Sequence, residues 1–241
     1  MLLIGRSTRL SRYVTGLDKT YIATARFGAV SDTLDADGNV TPLDEAPMPD
    51  ENTIRAALPE FTGDLEQIPP MASALKRGGV RLYSLHRRGV TVERDARPVT
   101  VHSLKVLDVN PAEQTASFEV TCGSGTYVRT LISDLAQHLA TAAYLTALRR
   151  TRVGHLRLEG ATPPSGLTPD TIYKHIIRPR EVVAHLPALE IPLAGVRGVC
   201  HGREIEAPWD GIFRVEAEGE LLAVYRGEGG GARPEVVLCG G

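Results

Sequence analysis

The sequence lacks the pairings from which disulfide frames and metal sites are built. Its three cysteines, Cys122, Cys200 and Cys239, are odd in number, far apart and without Cys-x-x-Cys spacing. Reduced thiols are therefore expected rather than a disulfide frame or a zinc site. The seven histidines include no His-x-x-x-His pair, so no metal is expected. Long apolar runs are missing too: the stretch from Met1 to Ile4 stops at Gly5-Arg6, too short for a signal-peptide core or a membrane span. A cytoplasmic protein with no membrane partner is the expectation, and no internal repeat is visible.

What is present is an ordinary globular composition, 42% hydrophobic and 23% charged over 241 residues, enough for one large core or a core plus a small appended domain. The net charge of −2 conceals a division along the chain. Lys76 to Arg97 holds seven Lys or Arg against two acids, and Arg149 to Arg157 holds four arginines and no acid. Asp32 to Glu66 carries ten acids against Arg55 alone. Positive potential is thus concentrated, as on a face that meets a polyanion, although a basic run by itself also suits a solvated surface.

Periodicity and punctuation predict the elements. Leu2 to Ile4 reads as the tail of a buried strand, and Ser7 to Thr15 as a short helix with Leu10, Tyr13 and Val14 on one face and Gly16 as its stop. Lys19 to Phe27 alternates like a strand, Asp32 to Gly38 is a turn-rich loop, and Asp50 caps a helix that Pro59 ends. Val99 to Val109 and Thr115 to Cys122 read as strands joined around Asn110-Pro111. Pro163 to Gly166 is a break, and Thr168-Pro169 opens another helix. From about Leu186 helix signals vanish, leaving short strands at Ile212 to Ala217, Leu221 to Tyr225 and Glu235 to Leu238. The expectation is an α+β or mixed-sheet domain over residues 1–186 followed by a small all-β barrel over 187–241.

One stretch poses a chemical question. In CGSGTYVRTLISDLAQHLA, Cys122 to Ala140, a Gly-rich turn precedes a helix whose Val128, Leu131, Ile132, Leu135 and Leu139 form one buried stripe. Arg129 lies in the first turn, where the helix dipole disfavours a cation unless an anion sits beside it.

That stretch, with LDKTYIATARFG, SDTLDADG, QIPPMASALKRGGVRLYSLHRRG and YLTALRRTRVG, resembles in order and spacing the bacterial tRNA pseudouridine synthase B family, over nearly the whole chain. The resemblance implies a mixed α/β catalytic domain, a PUA-type RNA-binding barrel, and isomerisation of uridine 55 in the T loop of tRNA to pseudouridine, without cofactor or metal. Such chemistry needs the base out of its stack and held against something flat. By similarity Tyr21 packs on the flipped base, Leu148 lines the same pocket, and Arg129 with Tyr127 forms the active-site pair, the guanidinium holding a nucleophilic aspartate. An aromatic in an alternating strand, or a Leu in an apolar helix, also suits a plain core position.

The family's Gly-x-Leu-Asp-Pro loop, which carries that aspartate, occurs nowhere in the 241 residues. Leu17-Asp18, Leu34-Asp35, Leu43-Asp44 and Leu107-Asp108 sit in other motifs or turns and are not expected to replace it. The catalytic domain is therefore expected to be N-terminally incomplete, with Met1 an internal residue of a longer reading frame or, less simply, the gene truncated. The chain also has Ala72 where family members often carry an aromatic.

For RNA phosphates the candidates are Lys76, Arg81, Arg87 and Arg88, then Arg149, Arg150 and Arg152; Lys105 is assigned to solvent. Glu181 to Gly241 has ten acids against five arginines, so the barrel either contacts RNA through Arg197, Arg203 and backbone groups or covers a sheet edge. The expected partner is the T stem-loop of tRNA, and the expected state a monomer. A non-catalytic protein binding the T arm is the alternative; a globular protein with no RNA ligand is the remaining one and would show no tRNA affinity.

Overall fold

The computed structural model of the protein describes residues 1–44 and 46–239. Two compact units emerge, one formed by Asp18–Val153 and the other by Met1–Leu17 together with Gly154–Gly241. This differs from the expected division at 186/187, because the short helix near the start packs with the C-terminal residues rather than with the strands that follow it.

In the unit Asp18–Val153, five strands run in the order Ala143–Val153, Lys19–Phe27, Thr115–Cys122, Arg97–Asn110 and Gly63–Gln67. The ladders between them are antiparallel, and a parallel bridge, Asp35 to Leu145, is attached at one edge. Alternation sends Ala23, Ala25 and Phe27 to the same side as Ala116, Phe118, Val120 and Cys122, where they are buried. The helix Val128–His138 covers that side with Val128, Leu131, Ile132 and Leu135, the predicted stripe. The helix Glu51–Ala57 adds Ile54 and Ala57 to the same core. Its predicted cap is real: Asp50 Oδ1 accepts from the amides of Asn52 (2.9 Å) and Thr53 (3.0 Å), satisfying donors a helix start leaves orphaned.

The second unit holds a five-stranded sheet in the order Ala188–Glu190, Gly211–Ala217, Glu220–Glu228, Gly231–Val237 and Ile205–Glu206. Its first pairing is parallel. The expected all-β barrel is corrected in one respect, since Leu193–Cys200 is a helix; Gly195 and Gly198, costly in a helix interior, hid it in the sequence. The early helical segment joins this unit through a row of arginines. Arg6, Arg9 and Arg12 donate to the carbonyls of Leu238 (3.1 Å), Val237 (2.8 Å) and Glu235 (3.1 Å). Tyr13 donates to the Glu235 carboxylate at 2.7 Å, and burial together with that carboxylate pushes its phenol up to about 12.

Three further expectations are overturned. Leu2 and Ile4 are exposed and no strand forms there, since no described strand offers that segment a ladder. Thr168-Pro169 opens only a turn and a 3-10 segment, Ile172–His175, whose apolar side chains stay exposed; without a face to bury, so short a helix does not hold. Cys200 and Cys239 form a disulfide, because the helix end and the end of the last strand meet despite 39 residues of separation; Cys122 is free and buried. No helix among the described residues is long and apolar enough to cross a membrane.

Truncating Leu135, fully buried beneath the helix, to Ala should cost the unit Asp18–Val153 about 2–5 kcal/mol. Asp50→Ala should cost about 1 kcal/mol and Asp50→Asn much less, because Asn keeps the accepting oxygen. Denaturant midpoints measure both.

Candidate active site

The loop Asp32 to Gly38 is a self-satisfied acidic turn. Thr33 Oγ1 donates to Asp35 Oδ1 at 2.6 Å, the amide of Asp37 donates to the same oxygen at 3.2 Å, and Ser31 Oγ donates to the Asp35 carbonyl at 2.6 Å. Asp32 accepts the backbone amide and the side-chain amide of Asn39, each at 2.9 Å. Those bonds, the side-chain one first, hold its carboxyl below the usual carboxylate range. Gly38 leaves room for these side chains to converge, since a Cβ there would overlap Asp32 Oδ1, Thr33 Oγ1 and Ser31 Oγ and force them to move. The turn is tied to the sheet edge by Ala36 N to Leu145 O (2.9 Å) and Leu145 N to Leu34 O (3.0 Å).

Onto this turn the helix Val128–His138 directs Arg129. Nη1 meets Asp35 Oδ2 at 2.5 Å and the Thr33 carbonyl at 3.0 Å, while Nη2 donates to the Ala72 carbonyl at 2.7 Å. The two side chains are only 21% and 25% exposed, so the pair is worth more than a surface bridge and breaking it leaves a poorly solvated charge. The anion that Arg129 needs at a helix N-terminus is thus Asp35. In the sequence Asp35 is one of several Leu-Asp pairs in turns, and the signal for a pre-ordered acceptor is a hydroxyl two positions before the carboxylate, Thr33.

Tyr127 stands at the N-cap, where its amide donates to Gln67 Oε1 at 3.0 Å. Gln67, buried and unremarked in the sequence, thereby serves the helix start in place of a capping side chain. Ala72, noted for its missing ring, contributes its carbonyl instead.

A cleft of about 780 Å³ opens at this point, with Asp32, Asp35, Arg129, Tyr83, His86 and Arg87 in its wall. Neither Tyr83 nor His86 was singled out in the sequence. Tyr83 lies beneath two guanidiniums, Arg81 at 5.8 Å and Arg87 at 5.5 Å from the ring centroid, and the hydrogen bond from Arg81 lowers its phenol from the ordinary value. Lys76 and Arg81 face each other across the hairpin Lys76–Arg77/Val80–Arg81, turned by Gly78 and Gly79 at positive φ. Two cations directly opposed are destabilising without an anion to share. Arg88 is exposed beside Arg87 at the end of the helix Leu82–His86.

The remaining candidates gather on adjacent strands. Tyr21 is opposite Arg150, Ala23 opposite Leu148, and Ile22 opposite Arg149. Leu148 lies on a strand, not a helix, and is 45% exposed, which removes the plain core reading. Tyr21 is half-buried, and burial raises its phenol. Arg152 donates to Thr20 Oγ1 at 3.1 Å, so part of its guanidinium is spent inside the sheet. Lys105 faces solvent beside Glu119. Among the described residues no group of His, Cys, Asp or Glu is arranged to hold a metal ion.

With this geometry established, residues 1–128 match the family model described as TruB family pseudouridylate synthase, N-terminal domain. The chain belongs to the TruB family. The members of this family are isomerases. Curated relatives named tRNA pseudouridine synthase B include one from Aromatoleum aromaticum, 39% identical over 95% of this chain and 75% of its own length. Another, from Burkholderia mallei, is 39% identical over the whole chain and 83% of its own length. Among solved structures, a Cbf5-Nop10-Gar1 complex matches with a TM-score of 0.69 at 21% identity, over 98% of this chain and 70% of that one. An H/ACA ribonucleoprotein bound to a substrate RNA containing 2'-deoxyuridine matches with a TM-score of 0.70 at 19% identity, over 98% of this chain and 71% of that one. These two likenesses concern the fold, in which the C-terminal five-stranded sheet is compatible with a PUA-like domain.

In this TruB-family chain, Asp35→Ala and Arg129→Ala should each lower stability by about 1–3 kcal/mol. The double variant should lose less than the sum, by about 1 kcal/mol or more, which denaturation of all four proteins measures.

Proposed function

We propose that this chain handles the T stem-loop of tRNA as a tRNA pseudouridine synthase, the target being uridine 55, and that it works in the cytoplasm. The observation that carries this reading is Arg129 at a cleft wall, in a TruB-family chain, with a row of cations on neighbouring elements that form no ion pair among the described residues. Isomerisation breaks the uracil–ribose bond and re-forms it through carbon, so the flipped base must be held flat while it turns. Tyr21 and Leu148 supply that surface in our reading, with Arg150 alongside for a phosphate. Lys76, Arg81, Arg87 and Arg88 take further phosphates, as do Arg149 and the remaining donors of Arg152.

Asp35 serves as a positioning residue rather than as the nucleophile. One of its oxygens accepts Thr33 Oγ1 and the Asp37 amide and the other accepts Arg129, which quenches a carboxylate's nucleophilicity. The attacking aspartate implied by the family resemblance belongs to a Gly-x-Leu-Asp-Pro loop that these 241 residues do not contain. That absence gives the second reading its support: these residues alone bind the T arm without turning it over.

Two measurements on the chain test the proposal. Filter binding should show affinity for unmodified tRNA, and no affinity would overturn the tRNA reading; tritium release from uridine-labelled tRNA separates the two readings, release supporting the synthase and binding without release supporting the T-arm binder. Replacing Arg87 and Arg88 by Ala should weaken binding and flatten the slope of log K against log salt by ~0.7 per lost contact, for unpaired RNA.

A further inference from the structure

The charges that line the cleft do not favour a polyanion as they stand. Asp32, Asp35 and Asp37 contribute three carboxylates, against the two guanidiniums of Arg87 and Arg129. The lining therefore carries one net negative charge. Asp35 and Arg129 cancel each other at 2.5 Å, which leaves Asp32 and Asp37 facing Arg87. One wall residue is of a type whose charge depends on a proton. His86, the last residue of the helix Leu82–His86, is partly buried and shares the cleft with Tyr83 and Arg87 from its own element and with the acidic turn opposite. A protonated imidazole there brings the lining to zero. Its charge reaches the Asp32 carboxylate across the cleft, contributing to the low value of that group. Asp32 already accepts two hydrogen bonds from Asn39, so it competes only weakly for the imidazole. Arg87, stacked on Tyr83 at 5.5 Å from the ring centroid, shares this wall with His86, so a phosphate arriving there would meet both side chains.

We propose that His86 contacts an RNA phosphate at the cleft mouth in its protonated form, so that binding tRNA takes up a proton and His86 sets the pH dependence of substrate affinity. This rests on the tRNA reading above. The chemistry follows from linkage: a polyanion binds the charged form better, the imidazole holds its proton more tightly in the complex than in the free protein, and affinity falls as pH rises through the histidine range. Among the described residues of the wall, no other side chain is of a type whose unperturbed titration falls between pH 5 and 8.

The test is equilibrium binding of an unmodified tRNA transcript by the full chain, at about pH 6 and about pH 8 and constant ionic strength, where a one-unit rise of the histidine on binding gives about a tenfold difference. The wild type should bind more tightly at the lower pH, and calorimetry in two buffers of different ionisation enthalpy should show uptake of about half a proton at intermediate pH, as a one-unit rise requires. His86→Gln should reduce the affinity ratio to below about twofold and remove the uptake, while His86→Lys should bind tightly at both pH values. A merely structural histidine would leave proton uptake in place in the Gln variant. A ratio and an uptake unchanged in His86→Gln overturn the assignment of His86 while leaving the tRNA reading standing. Failure of the wild type to bind at either pH overturns the tRNA reading, and this proposal with it.

Discussion

The architecture around the cleft depends on one guanidinium. Arg129 draws its helix, the turn at Thr33–Asp35 and the backbone at Ala72 to a common point, three segments far apart in sequence. Its position runs against the helix dipole, and the pair with Asp35 reverses that penalty by placing a carboxylate at the positive end. A largely desolvated pair of this kind tolerates little slack, so the turn that presents Asp35 must be stiff. Ser31, Thr33 and the Asp37 amide make it so, and Gly38 leaves room for them to converge.

Electrostatic division follows from the same arrangement. In the acidic turn Asp35 is partly buried and accepts from Thr33 and Arg129, while Asp32 stays exposed and accepts from Asn39; the basic segment carries its cations facing each other or stacked on Tyr83. Placing Lys76 directly across from Arg81 is costly in isolation and becomes favourable when an anion bridges them. The net charge of −2 hides a concentration of cations from Lys76 to Arg97 and a cleft whose lining carries charges of both signs.

Much of the fold was legible because burial enforces periodicity. Lys19–Phe27, Thr115–Cys122 and the helix stripe from Val128 to Leu135 follow the pattern that a half-buried strand or a covering helix must show. Elements that failed to follow were those whose stability comes from elsewhere. The helix Leu193–Cys200 contains two glycines and is held by packing in its sheet, and the segment at Leu2–Ile4 is apolar without a ladder among the described residues. The pairing of Cys200 with Cys239 could not be read from spacing, because it depends on where a helix end and a strand end come to rest. The site was legible at Arg129, whose unfavourable position demanded an anion, and at the basic residues. The pairing of Asp35 with Arg129, the bond from the Tyr127 amide to Gln67 and the place of His86 in the cleft wall were illegible, since partners brought together by long-range folding leave no local pattern.

Arg129 orders the acidic turn rather than simply resting beside it. Amide hydrogen exchange on the wild type and on Arg129→Gln tests this directly. The backbone amides of Asp37, Ala36 and Asn39 should lose protection in the variant while those of the strand Thr115–Cys122 keep theirs, the signature of a local opening rather than global unfolding. Unchanged protection across residues 32–39 would mean that the turn holds itself, and that Arg129 is a passenger.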